Sequence, residues 1–241
     1  MRAILLAAGQ ATRLRPLTDN CPKCLLKVGS ESILERAVRI LGEHGIGQFT
    51  VVDGFCGDMI RQTLDKTFPD FEFLFIRNED FSTTNNAWSL MLADCPAGEP
   101  IFLLDSDILF EPAVIARLLD HDSPNRLGLR TTGSVGEEEM KVSLGPDGRV
   151  ENLTKEMPLA EAVGESVGLE IFSGEFVTEL MSVLTRRMKV DGFINEYYEA
   201  SFVELMQAGQ DVRPVDLGEL VCMEIDTPED LETARQVFKN L

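Results

Sequence analysis

LLAAGQATRLRPLTDNCPKCLL, residues 5–26, changes character part-way along. It begins as the end of an apolar run, Ala3–Ala7, that reads as a buried strand. It turns sharply at Ala7-Ala8-Gly9 and then becomes basic. Residues 1–27 carry Arg2, Arg13, Arg15, Lys23 and Lys27 against Asp19 alone, a local charge of +4 in a chain of net charge −19. A loop that leaves the first strand of an α/β sheet lies where such sheets bind ligands, at the carboxyl ends of the strands. Its small residues let backbone N–H groups approach an anion closely. Charge alone leaves two readings equally open. The loop is a phosphate pocket, or it is a surface loop whose arginines pair with acids elsewhere.

The surrounding pattern is a strand–helix alternation. A helix is expected over residues 32–43, where Ser32 and Glu35 have the spacing of a capping box and Ile33, Leu34, Ala37, Val38 and Leu41 share one face. Gly45 can close it. Strands are expected at 49–52, 71–76 and 101–105, with helices at 58–67, from Asn86, and from Pro112 to Leu119. The rhythm predicts a doubly wound, mostly parallel sheet flanked by helices. The middle of the chain differs. Residues 140–144 and 149–155 flank Gly145-Pro146-Asp147-Gly148 and read as a hairpin, and 166–172 reads as a further strand. Together they predict a small inserted β layer. Helices near 175–187 and 194–208, strands near 211–216 and 220–225, and a last helix capped by Thr227 complete the expected order. The expected organisation is one domain over residues 1–241.

Composition narrows the function. The net charge argues against a nucleic-acid partner, since a polyanion is repelled. The chain has no apolar run long enough to span a membrane, and its first residues do not read as a signal peptide, so a cytoplasmic protein is expected. The five cysteines are then reduced thiols. Cys21-Pro22-Lys23-Cys24 has no second CxxC, and His44 and His121 stand apart, so a zinc site is not expected. GxxxxGK[ST] and GxGxxG are both absent, which argues against a P-loop enzyme and a nicotinamide dehydrogenase.

Asp105 and Asp107 close one predicted strand, Glu224 and Asp226 another. Residues two apart on a strand face one side. If the two strand ends lie together, Asp107 and Asp226 meet as hard oxygen ligands suited to Mg²⁺. Helix capping is the alternative for each.

Residues 6–34 resemble the N-terminal signature of the nucleotidyltransferases that activate sugar phosphates and phospho-alcohols, roughly L-A-A-G-x-G-x-R-L-x-P-L-T followed by P-K. The match departs at Ala11, where that family usually has glycine. The resemblance implies a Rossmann-like nucleotidyltransferase fold. It implies that Leu6, Ala8 and Gly9 meet the nucleotide, that Arg13 grips the β and γ phosphates, and that Lys23 lies near the α phosphate. It also implies that Asp107 and Asp226 hold the catalytic Mg²⁺. Asn85-Asn86-x-x-Ser89-Leu90 resembles the CTP-using branch, the phosphocholine and phosphonate cytidylyltransferases. That likeness implies CTP and nucleotide contacts at Asn85, Asn86 and Ser89. On the acceptor side it points to Lys155, Glu165, Tyr197 and Glu199. The implied partners are CTP and a small phosphate or phosphonate monoester, with phosphocholine and a 2-aminoethylphosphonate-like compound both open. The rivals are a sugar-1-phosphate nucleotidyltransferase using UTP, GTP or dTTP, and a non-catalytic nucleotide-sensing subunit. A homo-oligomer is left open.

Overall fold

The computed structural model describes residues 1–133 and 135–239. Strand β1 is Arg2–Ala7, and the basic loop after it contains two short 3-10 turns, Thr12–Leu14 and Lys23–Leu25. A small ribbon, β2 (Lys27–Val28) and β3 (Glu31–Ser32), leads into α1 (Ile33–Glu43). Next come β4 (Gln48–Asp53), α2 (Gly57–Thr67), β5 (Glu72–Arg77), α3 (Asn86–Leu92), β6 (Ile101–Asp105), β7 (Ile108–Phe110) and α4 (Pro112–Asp120). The second half runs β8 (Arg126–Arg130), β9 (Lys141–Leu144), β10 (Val150–Thr154), β11 (Gly164–Phe172), α5 (Gly174–Lys189), α6 (Glu199–Gln207), β12 (Arg213–Asp216), β13 (Cys222–Glu224) and α7 (Pro228–Val237).

The main sheet has the order β10-β9-β11-β6-β1-β4-β5, with β8 on β11 and β12 on β8. β1 is parallel to both β4 and β6, so Leu5 sits opposite Val51 on one side and Leu104 on the other. It is apolar almost throughout because helices cover both faces of the sheet. The chain winds outward from β1 to β4 and β5, then returns to β6 on the opposite side of β1. That reversal opens a crevice beyond the carboxyl ends of β1 and β6. The basic loop leaves from one lip and Asp105 ends the other.

β11 runs antiparallel to β6, β8 and β9, which makes the sheet mixed and joins the β9–β10 hairpin to it directly. The inserted strands therefore extend the main sheet. β8 was not expected, because Arg-Leu-Gly-Leu-Arg reads as a polar segment broken by glycine. The fold gives both features a use. Arg126 is buried and donates from Nε to Leu118 O at 2.6 Å, closing the end of α4. A Cβ on Gly128 would come within 2.9 Å of Val167 Cγ2. The helix expected from residue 194 begins at Glu199, since the preceding turns bond to α3: Asn85 N donates to Ile194 O and Tyr198 N to Asn86 Oδ1.

One apolar cluster fills the face under α1, α2 and α4, another the face under α3, α5 and α6. A third, smaller cluster bears directly on the site. Leu14, Leu26, Val28, Ile33, Leu109, Ile225, Leu231 and Phe238 pack together, which pins the basic loop against α7 and β7. Helix α1 starts at the expected capping box, with Ser32 Oγ accepting from Glu35 N and Glu35 Oε2 accepting from Ser32 N. Ser32→Ala should lower stability by about 1 kcal/mol, read as the midpoint of urea unfolding with an unchanged slope. An unshifted midpoint would show that the cap adds nothing.

Candidate active site

The crevice is a cavity of about 680 Å³, and all fourteen residues named above as site candidates line it. The basic loop forms one wall. Ala11 takes the left-handed conformation, φ 48° and ψ 55°, at the position where the resembling sequences carry glycine. For an alanine that costs roughly 1–2 kcal/mol. The loop keeps it because the Ala11 carbonyl accepts both Thr18 Oγ1 (2.8 Å) and Leu14 N (3.1 Å), and Leu14 is fully buried.

Asp107 and Asp226 come together by a route the strand ends alone did not suggest. Asp107 lies in a turn beyond β6, and the next residues form β7, which pairs antiparallel with β13. Glu224 sits opposite Ile108, and Ile225 N donates to Asp107 O at 3.1 Å. Asp107, Glu224 and Asp226 each offer an oxygen atom within 4.8 Å of the others. Helix capping does not account for Asp226, because Thr227 is the cap of α7 and Asp230 closes its capping box. The Asp226 carboxylate is thereby free to face the cleft.

Lys23 lies among these acids, its Nζ 2.5 Å from Asp107 and 2.7 Å from Asp226. Its side chain is only 14% exposed. Burial by itself would lower the lysine pKa, but the two carboxylates outweigh it and hold the ammonium well above its ordinary range. Arg13, on the more open side, also pairs with Asp226. Burial raises Asp226, and the two cations more than reverse this, leaving it below the usual carboxylate range. Glu224 moves the other way. Although it is the most exposed of the three, desolvation by the cleft wall and the charges of Asp107 and Asp226 push it up to about 8. Lys23 and Arg13 thus neutralise these acids.

Three carboxylates at this spacing fit a small hard cation such as Mg²⁺, which accepts one or two carboxylates and leaves room for phosphate oxygens. Asp107 Oδ1 is buried without a hydrogen-bond partner among the described residues, an atom with a lone pair to offer. Glu224 belongs with Asp107 and Asp226 in this set. Asp105, at the end of β6, is half-buried, lines the cavity and accepts the Tyr198 hydroxyl at 2.9 Å.

The opposite wall is built on α3. Asn85 is its N-cap, accepting from Asn86 N at 2.8 Å, and its Nδ2 donates to Asn195 O. Ser89 is buried and accepts from Asn78 Nδ2 at 3.1 Å. Asn78 was missed in the sequence, where it stands in a polar run without periodicity. It is buried, bonds Thr84 and Ser89 and accepts Asp80 N, and so shapes the whole 78–89 segment. At the far end, Lys155 Nζ lies 4.8 Å above the Tyr197 ring. Glu165 is nearly buried and paired with Arg130, another residue the sequence did not flag. Arg130 also donates to Cys222 O, tying β13 to the sheet. Glu199 is 6% exposed, and burial pushes it up to about 7.

Residues 3–137 match the family described as the MobA-like NTP transferase domain. The chain belongs to that family. The NTP transferase domain is similar to the CMP-5'-(3-aminopropyl)phosphonate synthase of Streptomyces rubellomurinus, 28% identical over 97% of this chain and 38% of that protein. It is similar to the CTP:phosphoglutamine cytidylyltransferase of Campylobacter jejuni, 26% identical over 96% of this chain and 98% of the other. In fold it matches the CTP:phosphocholine cytidylyltransferase of Streptococcus pneumoniae, with a TM-score of 0.76 at 20% identity over 98% of both chains. Sugar-1-phosphate nucleotidyltransferases match in sequence over shorter stretches, and the apo UDP-glucose pyrophosphorylase matches in fold over 99% of this chain, with a TM-score of 0.80 at 13% identity. No helix among the described residues is long and apolar enough to cross a membrane.

Proposed function

We propose that this NTP transferase domain is a cytidylyltransferase, moving CMP from CTP onto a small phosphate or phosphonate monoester with release of pyrophosphate. The carrying observation is Lys23 seated between Asp107 and Asp226 at the crevice where the strand order reverses. Preference for CTP is supported by the relatives, two of which are named for CTP or CMP transfer and align over nearly this whole chain. The retained lysine and acids argue against a non-catalytic nucleotide sensor.

In this reading the phosphates of CTP lie along the Ala8–Arg13 backbone. Arg13 faces the β and γ phosphates and Lys23 the α phosphate, both released from Asp226 as the anion enters. Leu6 and the Asn78–Ser89 wall border the nucleoside, with Asn85 and Asn86 holding that wall to the acceptor side. Lys155 orients the acceptor phosphoryl group. An acceptor oxygen then attacks the α phosphorus in line and the bond to pyrophosphate breaks. No general base is required, since a phosphate monoester with second pKa of about 6 is largely ionised at neutral pH. Asp107, Asp226 and Glu224 would hold Mg²⁺, which supplies charge neutralisation for two anions brought into contact. The described residues are proposed to act as one domain in the cytoplasm, where the five free cysteines stay reduced.

Pyrophosphate release measured with CTP, UTP, GTP and dTTP against phosphonate, phosphocholine and hexose-1-phosphate acceptors tests this. CTP should exceed the other nucleotides at least about 10-fold in kcat/KM, and EDTA should stop turnover. Turnover confined to hexose phosphates with UTP or dTTP would establish the sugar-phosphate reading in its place.

A further inference from the structure

The acceptor end of the cleft holds more acid than the metal set accounts for. Asp105, Glu170 and Glu199 remain. Glu170, opposite Leu103 and Leu127 in the sheet, is fully buried, and neither carboxylate oxygen has a hydrogen-bond partner among the described residues. The buried Ser166 hydroxyl is close enough to Glu170 to favour its charged form, and it has no other partner among the described residues. Glu199 opens α6 and lines the cavity, its Oε2 buried with no hydrogen-bond partner among the described residues. Asp105 lines the same floor with Tyr198 as its hydrogen-bond donor. β11 bulges between Ser166 and Glu170, and Gly168 in that bulge has φ +69°. A Cβ at Gly168 would lie 3.1 Å from Asp105 Oδ2, so glycine keeps the space over this acid clear.

Unpaired buried acids are costly to a fold, and burial with the charges of its neighbours pushes Glu170 well above the carboxylate range. A cation delivered by a ligand removes that cost. We infer that Glu199 and Asp105, with Glu170 behind them, form a subsite for a protonated primary amine on the acceptor. The acceptor class is then an aminoalkyl phosphate or phosphonate. This rests on the cytidylyltransferase reading for what happens at the other end of the molecule.

The walls discriminate between kinds of cation. A quaternary ammonium is recognised by an aromatic cage. Among the described residues, the aromatic side chains lining this cavity are Phe81 and Tyr197, and Lys155 already covers the Tyr197 ring. A primary ammonium carries three N–H donors and matches unpartnered carboxylate oxygens. Lys155 faces the acceptor's anionic end, so the two charges of a zwitterion find opposite partners.

The test compares 2-aminoethylphosphonate with ethylphosphonate, phosphocholine and glucose 1-phosphate, using wild-type protein, CTP and Mg²⁺. A site built to bond an N–H group rejects the analogue lacking it strongly, so kcat/KM should favour the amine over ethylphosphonate by at least about 100-fold. Glu199→Gln should shrink that ratio about 10-fold or more, with a rise in KM for the amine. Asp105→Asn should move the ratio the same way. Calorimetry of 2-aminoethylphosphonate binding to wild type and Glu199→Gln gives a readout that does not need turnover. Glu199-dependent binding with no turnover of any acceptor would remove the transferase reading and keep the amine subsite. Equal turnover of ethylphosphonate, or preference for phosphocholine or glucose 1-phosphate, would keep the transferase reading and remove the subsite.

Discussion

Asp107→Asn and Asp226→Asn should each lower pyrophosphate release at least about 10³-fold while leaving the fold intact. Each change is isosteric, so packing is preserved and the loss is one of charge. Asp107 and Asp226 both contact Lys23, and with Glu224 they make up the one metal-sized group of acids found among the described residues. Removing either leaves two carboxylates for a dication and one partner for Lys23. Circular dichroism should be unchanged. The Asp226 variant should unfold at a somewhat lower temperature, because it also loses its pair with Arg13. Near wild-type turnover in either variant would falsify the metal assignment. Glu224→Gln provides a gradation. Glu224 is the most exposed acid of the three, and among the described residues Lys23 pairs with the two aspartates, so a neutral side chain at Glu224 should cost less than at either of them.

Lys23→Met is the second large effect, and it separates charge from packing because methionine keeps the length and apolar bulk. In wild type the ammonium is mostly buried and touches two acids. Taking away one member of a buried charge group costs about 3–5 kcal/mol, because the remaining charges are left uncompensated. Thermal unfolding without metal should therefore fall well below wild type. Millimolar Mg²⁺ should raise the variant's midpoint more than it raises that of wild type, since the cation replaces the missing ammonium among Asp107, Glu224 and Asp226. Turnover should not recover with it, because Lys23 also faces the α phosphate in the proposed reaction, a contact worth on the order of 10²–10³ in rate. Equal midpoints for variant and wild type, with equal responses to Mg²⁺, would show that Lys23 is not the resting counter-ion of these acids.

Much of the scaffold was legible because its signals are local. The Ser32–Glu35 box, the Pro112 and Pro228 helix starts and the Gly145–Gly148 turn each act over three or four residues, and each appears where expected. β8 was illegible for the opposite reason. Its arginine and glycine only make sense beside the end of α4 and the bulge of β11, neighbours that the segment itself does not announce. The buried Asn78 network was hidden in the same way, its partners being hydroxyls brought to it by the 78–89 turn.

By itself, the sequence determined most of the strand–helix order, without β2, β3, β7 and β8, together with the cationic turn after β1 and the residue types available for phosphate and metal chemistry. Hydrophobic period, caps and charge are properties of neighbouring residues. Only the tertiary structure decided that Lys23 meets Asp226 across 203 positions, that Asp105 accepts from Tyr198 while Asp107 meets the lysine, and that Glu165 is held by Arg130. Those pairings depend on the β7–β13 ribbon and on the small core around Leu14, which bring distant segments to within ångströms of one another. Electrostatics acts over such distances, and chain order does not encode them.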